Sequence, residues 1–451
     1  MAFIGGGGTG DKQLRLGLME TLRLAMADPD LRARLTFVLL MFAVYAFGTH
    51  VPVPIPGVNS ESVWESLKKL PQADLINIFG GGGLKRLSIL ALSLAPYITA
   101  SIIIQVLTTA LPNWKKELQE GGEHGRRVQN QRTRYLTLAL CVGQGLGLLT
   151  MIGRASPEVM ALSTGSKALV VLFWTAGAMF TLWLGEQISE RGIGNGVSLM
   201  IFAGILISLP DQIGRISVGI KDGVIQWWQV ALLLIIFSVS TYFVVYFTNA
   251  QRRIPIQHMR RQVGTKVMGG QTSYLPLSLN MVGVIPIIFA SSLIYIPAQL
   301  AIAFGPNTGI GKFLENVQSW MNPMANGPQM VVGYIAYTVL IFFFTYFYTA
   351  VQYNVDDIAN NLKKGGSFIP GIRPGKQTRD YLDGVISRVT FVGASFLTVV
   401  ALTQYVSPRL TGIPISYLSV VGGTTLLIVI SVALETIRQI EANLLMKQYG
   451  N

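Results

Sequence analysis

The stretch WWQVALLLIIFSVSTYFVVYFT, residues 227 to 248, contains no Asp, Glu, Lys or Arg, and its apolar residues run continuously rather than alternating. About 20 such residues wound as a helix cross the hydrocarbon of a bilayer. An alternating pattern would have indicated a barrel strand, and this segment has none. In lipid every backbone polar group must be bonded internally, which a helix achieves by itself. Residues 227 to 248 therefore read as a transmembrane helix.

Nine further charge-poor intervals have the same character, and the chain as a whole is 51% hydrophobic and only 13% charged. A soluble reading of 451 residues would give roughly three domains, but its core could not absorb this much apolar sequence. The spans are predicted near residues 35–51, 94–111, 135–153, 168–186, 197–209, 227–248, 277–304, 330–352, 386–406 and 416–434. Five spans in each half is an odd number, so the second half starts on the opposite side from the first. That is the geometry of an inverted repeat, although the halves share no strong sequence identity.

The amino-terminal tail, the even-to-odd loops after spans 2, 4, 6 and 8, and the carboxyl-terminal tail carry most of the 35 Lys and Arg. The positive-inside rule places those segments, and both termini, in the cytoplasm. The net charge of +13 is thereby accounted for without nucleic acid. The predicted division is a cytoplasmic amphipathic tail at 1–33, a first half at 34–209, an external hinge loop at 210–226, a second half at 227–434 and a cytoplasmic tail at 435–451. In the first tail Leu14, Leu18, Leu22 and Met26 share one helix face.

Chemistry is sparse. The single Cys141 allows no intrachain disulfide or thiolate metal cluster, and three histidines in the whole chain argue against a metal enzyme. GGGGTGDK at Gly5 to Lys12 lacks the phosphate-loop lysine at the required place and follows no strand, so no nucleotide site is expected. No charge lies in the interior of a predicted span, Glu186 standing at the end of the fourth, which speaks against an ion-coupled transporter. An intramembrane enzyme would need paired acids, a Ser/His pair or a metal cluster, and none is seen.

Three features go beyond a bare bundle. Phe79-Gly80-Gly81-Gly82-Gly83 leads into a short segment, Leu84 to Leu92, that contains Lys85 and Arg86 and cannot cross; it either enters the membrane and stops or forms a surface helix. Gln105, Gln144 and Asn280 fall on predicted spans 2, 3 and 7, where amides can hydrogen-bond across a helix interface. Two long basic loops, 249–275 and 353–384, carry Arg252 and Arg253, and Lys363, Lys364 and Arg373, the second loop shaped by turns at Gly365-Gly366, Ile369-Pro370-Gly371 and Pro374-Gly375. Such loops either touch anionic lipid or form a docking surface.

SLAPYITASIIIQ at Ser93 to Gln105, GEHGRR at Gly122 to Arg127, GEQISERGIGNG at Gly185 to Gly196, LPLSLNMVGVIP at Leu275 to Pro286 and NNLKKGGSFIPGIRPG at Asn360 to Gly375 resemble the SecY-type protein-conducting channel family. The resemblance covers nearly the whole chain. It implies an all-α membrane protein with ten transmembrane helices in two inverted five-helix halves around an hourglass pore, closed by a short plug helix at about 76–92. It places an aliphatic pore ring on Leu94, Ile98, Ile102, Ile201, Ile288 and Ile428. It makes Gln105, Gln144 and Asn280 the polar seam of a lateral gate formed by spans 2 and 3 against 7 and 8.

The same resemblance implies no cofactor and no enzymatic activity, but passage of unfolded preproteins bearing signal sequences and release of transmembrane segments into the bilayer. Its implied partners are small membrane subunits of the SecE and SecG kind, the SecA motor ATPase and the ribosome at Arg252, Arg253, Lys363, Lys364 and Arg373, and anionic lipids. Its implied location is the bacterial plasma membrane. Two positions depart from the family pattern: Ala46 stands where an Arg is common, and the run Pro52, Pro54, Pro56 is longer than usual.

Overall fold

The computed structural model describes residues 18–55, 58, 60–67, 77–78, 80–155, 159, 161–258, 261–263, 266–268, 272–304, 308–323, 327–413 and 423–450. Leu14 and most of the glycine-rich amino terminus lie outside them. A short helix, α1 (Leu18–Ala27), leads through Asp28 into α2 (Pro29–Gly48). Asp28 caps α2, its carboxylate accepting from the backbone N–H of Asp30 at 2.9 Å and of Leu31 at 3.1 Å. Pro29 at the first helical turn loses no bond there.

After α3 (Ser60–Leu67), the first half is built from α4 (Ala95–Ala110), α5 (Pro112–Glu120), α6 (Gly122–Ala155), α7 (Thr164–Arg191) and α8 (Gly196–Lys221). The second half holds α9 (Trp227–Asn249), strands β1 (Gln251–His258), β2 (Arg261–Val263), β3 (Lys266–Met268) and β4 (Thr272–Ser278), then α10 (Ile285–Phe304), α11 (Gly309–Met321), α12 (Pro328–Gln352), α13 (Val355–Lys364), β5 (Ser367–Phe368), α14 (Lys376–Thr411) and α15 (Gly423–Gly450). Among the described residues eight helices are long and apolar enough to cross a membrane: α2, α6, α7, α8, α9, a helix containing α12, α14 and α15. The shorter apolar helices α4 and α10 occupy the predicted places of spans 2 and 7.

The repeat that the sequence hides is visible in the packing. In the first half α4 packs on α6, α6 on α7, α2 on both α7 and α8, and α7 on α8. In the second half α10 packs on α12, α12 on α14, α9 on both α14 and α15, and α14 on α15, which is the same pattern with each helix advanced by five spans. The halves meet along α8 with α15, and along α10 with α4 and α6. One hydrophobic cluster runs through both halves.

Several predicted boundaries shift, each for a physical reason. Span 5 was expected to end at 209, with 210–226 as loop, but α8 continues through Pro210 to Lys221. An interior proline removes one ladder bond without ending a helix whose flank is packed. Here Ile216 and Ile220 pack against Ile225, Leu233 and Ile413. Span 7, expected from 277, starts as helix only at Ile285, because Thr272–Ser278 pairs with β1 and Gly283 adopts a positive φ of 69°. The carboxyl-terminal tail expected at 435–451 is helical to Gly450, continuous with α15.

Among the described side chains of α1 Thr21 and Ala25 are buried and Met26 of the expected apolar face is 53% exposed, Leu18 and Leu22 lying outside them. Ala25 packs with Leu31, Ile193, Ile440 and Leu444, which fastens α1 to α15. Lys447 adds an ion pair, its Nζ 2.8 Å from Asp28 and 3.4 Å from Asp30. The hydrogen bond from Lys447, with those from the Leu31 and Asp30 backbones, holds the Asp28 carboxyl below 3.8; the same contact holds the Lys447 ammonium above 10.5.

The Asp28 contribution is thus present above its unfolded value and lost as pH falls through the lowered folded one. The Lys447 contribution is present below 10.5 and lost as pH rises through its raised folded value. Both groups are solvated, so the strap is sensitive to salt. We expect Lys447→Ala to speed hydrogen exchange of the α1 amides, and to leave those of α7 unchanged. Equal exchange in α1 would show the strap to rest on Ala25 and Leu31 alone.

Candidate functional site

Leu94, Ile98 and Ile102 recur every four residues and so share a face of the α4 region. Ile201 lies on α8, Ile288 on α10 and Ile428 on α15. These four helices correspond in pairs across the repeat, α4 with α10 and α8 with α15, and with α6 they are helices along which the halves touch. All six side chains belong to the single cluster that runs through both halves, Leu94, Ile201 and Ile428 buried within it and Ile98, Ile102 and Ile288 packed against it. None offers a hydrogen bond or charge, so the arrangement can exclude water without recognising any particular residue.

The segment expected as a short helix at about 76–92 is helical at Asn77-Ile78 within the described residues and otherwise, from Gly80 to Leu94, a succession of turns. Positive φ at Gly81, Gly82, Leu87 and Ser93 keeps it from winding into a helix. It is nonetheless tightly held. The backbone N–H of Val53 donates to Leu87 and that of Ile89 to Val51, each at 2.9 Å. The Tyr45 hydroxyl lies 3.1 Å from Ser93 Oγ.

Asp211, on the unexpected extension of α8, accepts from Arg86 at 3.4 Å and pairs with Lys85 at 3.8 Å. Against α7 the approach is closest at Gly177, where an added Cβ would stand 2.0 Å from the Ile89 carbonyl oxygen. Only glycine permits that contact.

The amide seam forms differently from the expectation. Gln105 lies on α4 and Gln144 on α6, but Asn280 sits in the connector ahead of α10 because that helix starts late. Gln105 is engaged by other partners: its Nε2 donates to Ser101 Oγ at 2.8 Å, and its Oε1 accepts from the hydroxyl of Tyr348 on α12. Among the described residues neither Gln144 nor Asn280 bonds to it. The polar link between the halves therefore runs from α4 to α12, and Tyr348 is packed edge-on against Phe289 of α10, with ring centroids 5.1 Å apart.

The two basic loops are one structure. Strand β1 pairs antiparallel with β4, with Arg252 opposite Leu277 and Arg253 opposite Pro276, and pairs on its other edge with β5 of the second loop. His258 bolts the junction, its Nδ1 2.8 Å from Ser367 Oγ and its Nε2 3.2 Å from Ser273 Oγ. Arg252, Arg253, Lys363, Lys364 and Arg373 are all exposed. The Arg373 turn is fixed from below, since Ile369 and Ile372 pack into the central cluster and the Arg373 carbonyl accepts from Thr378 Oγ1 at 2.9 Å.

The sequence model of the SecY family matches residues 88–437. A protein translocase subunit SecY of Staphylococcus aureus is 39% identical over 438 residues, covering 96% of this chain and 99% of that one. One from Aquifex aeolicus is 40% identical over 439 residues with the same coverage. The chain belongs to the SecY family.

SecY-family proteins are pore subunits rather than enzymes, and the solved structures similar to this chain carry the same fold. A structure described as a protein conducting channel aligns with a TM-score of 0.64 at 17% identity over 93% of this chain and 96% of its own. A Sec61 channel from a canine ribosome-channel complex aligns with a TM-score of 0.60 at 15% identity, with the same coverage. The chain is thus an all-α multi-pass membrane protein with ten spans in two inverted halves around an hourglass pore, and among the described residues its strands lie in the arm beyond the spans.

On that SecY-family frame, sequence reasoning missed Tyr348, Asp211, Ser93 and His258. Each acts through a partner far away in the chain, and no local pattern marks it. The Asp211 pairs are half-exposed and so individually weak, about 0–1 kcal/mol. We expect Asp211→Asn to raise the resting ion leak of vesicles a few-fold, read as dissipation of an imposed potassium gradient. An unchanged leak would reduce Asp211 to a surface charge.

Proposed function

We propose how this chain, the pore-forming subunit of a protein translocase, performs its task. Leu94, Ile98, Ile102, Ile201, Ile288 and Ile428 form the waist, and the segment at about 76–92, described continuously from Gly80 to Leu92, is the plug above it. The observation that carries the reading is that these six aliphatic side chains, on repeat-related helices, all belong to the one hydrophobic cluster that runs through both halves. A translocating chain presents every kind of side chain, so a waist must make no specific bonds while still shutting out ions. A hydrophobic constriction does this by dewetting.

The lateral gate is the seam of α4 and α6 against α10 and α12. It is held by apolar packing and the Gln105–Tyr348 bond, which can part and re-form without leaving a buried charge. A signal sequence entering that seam favours the open state by the difference of its affinities for open and closed forms. The energy for transport comes from a partner, SecA or a ribosome, seated on the fused arm at Arg252, Arg253, Lys363, Lys364 and Arg373. Because β5 pairs with β1, a push on either loop moves both. SecE- and SecG-type subunits clasp the bundle, anionic lipid meets the basic loops, and both termini face the cytoplasm of a bacterial plasma membrane.

The waist is tested by exchanging Ile288 and Ile428 for Ser together. We expect anion and potassium flux through the resting channel to rise by more than tenfold with precursor transport retained. Unaltered flux in the folded variant would remove these residues from the waist.

A further inference from the structure

Helix α11 (Gly309–Met321) joins the gate helices α10 and α12 on the face away from both termini, and packs on both of them. Gly311 and Gln318 are its buried positions. Beside that buried face runs a second stripe of Ile310, Phe313, Val317 and Trp320, spaced three or four apart, of which Ile310 is 58%, Phe313 66% and Trp320 47% exposed. Lys312, Glu315 and Asn316 are exposed on the remaining side. An amphipathic helix of this size with an uncovered aromatic and aliphatic stripe calls for an apolar occupant.

We infer that the occupant is the bilayer itself: α11 lies in the membrane surface at the mouth of the gate, with Ile310, Phe313, Val317 and Trp320 in the boundary between headgroups and acyl chains. Three observations support it. Helix α12 exposes Val331, Val332 and Ile335 within its first two turns, so hydrocarbon-facing surface begins close to the end of α11. The helix that holds the same place in the first half, α5 between α4 and α6, is bent by 103° from α4, nearly at right angles to it. The inverted repeat puts its counterpart α11 in the same attitude on the opposite face. Phe and Trp are the side chains suited to that boundary, the indole N–H reaching water while the ring is buried.

Lys312 and Glu315 balance, so attraction to anionic lipid is not required and partition is hydrophobic. Because α11 is spliced between the two second-half helices of the gate, the outer leaflet holds that side of the seam. This last step rests on the gate reading above; the depth of α11 does not.

The test is a set of single spin labels in the channel with Cys141 replaced by Ser, placed at 310, 312, 313, 316 and 317 and reconstituted into phosphatidylcholine vesicles. Collision with oxygen reports lipid exposure, and collision with a nickel chelate reports water. We expect labels at 310, 313 and 317 to favour oxygen several-fold over those at 312 and 316, with no change when a third of the lipid is made anionic. Chelate access equal at all five sites would overturn the inference. Low access to both probes at 310 and 313 would overturn it in favour of a protein partner. If depth is confirmed, Phe313→Asn should alter crosslinking of a signal sequence to the gate; unaltered crosslinking would defeat the gate reading and leave the lipid contact standing.

Discussion

Arg373→Glu is expected to cut SecA-driven transport of a secretory precursor into vesicles by at least tenfold while leaving the channel folded. Arg373 is exposed and makes no ion pair among the described residues, whereas the backbone beneath it is held by buried Ile369 and by packed Ile372. Gly371 and Gly375, with φ of 81° and 103°, shape the turn on either side, and Thr378 closes it. A rigid turn presenting a free guanidinium is preorganised, so little entropy is lost when a partner carboxylate meets it. Removing one member of a desolvated interface pair costs roughly 2–5 kcal/mol, and each 1.4 kcal/mol is about tenfold in affinity.

The neighbouring pair Lys363→Glu and Lys364→Glu should matter less, because these flexible ammonium groups end a helix at the rim. Melting temperature and detergent-solubilised yield check the fold. Transport at the wild-type rate in a folded Arg373→Glu channel would move the docking site off this turn.

What could be read from the chain follows from the range of each force. Hydrocarbon imposes its requirement on every twenty or so consecutive residues, so the spans stand out as charge-free intervals and the odd number in each half gives the inversion. The end of α8 was hidden because Pro210 and Asp211 look like a loop, and the contacts that carry the helix past them come from Leu233 and Ile413 in the other half. The arm was hidden by its prolines: Pro255 and Pro276 argue against strands, yet Pro276 lies in the edge strand β4 and Pro255 in the part of β1 that β5, pairing only with Gln257 and His258, leaves open on one side.

Within the site, Gln105 was legible as an amide within a span, but its partner Tyr348 is 243 residues away. The six waist residues could not be told from ordinary packing by any local feature, since Leu and Ile fill membrane helices everywhere. Only resemblance to a known family picked them out, and the packing adds that the helices carrying them correspond in pairs across the repeat.

The second large effect concerns the proposed plug. Gly177→Val should open the resting channel to ions by more than tenfold, measured as conductance in planar bilayers without precursor or motor. A Cβ at Gly177 would stand 2.0 Å from the Ile89 carbonyl oxygen and 2.7 Å from its carbon, and backbone atoms cannot rotate aside as a side-chain tip can. Either α7 or the plug must move. Helix α7 is packed by α2, α6 and α8 together, so displacing it disturbs the whole first half.

The plug is a run of turns tied by the Val53 and Ile89 backbone bonds, the Tyr45–Ser93 contact and the half-exposed Asp211 pairs. It is the cheaper element to shift, and overpacking of this kind costs about 1–3 kcal/mol, enough to change the closed-to-open ratio by one to two powers of ten. Gly147→Val on α6, where an added Cβ meets nothing within 4 Å, is the matched control and should leave conductance low. If Gly177→Val is folded and as tight to ions as wild type, the seal lies in the aliphatic waist alone, and Gly80 to Leu92 is packing rather than plug.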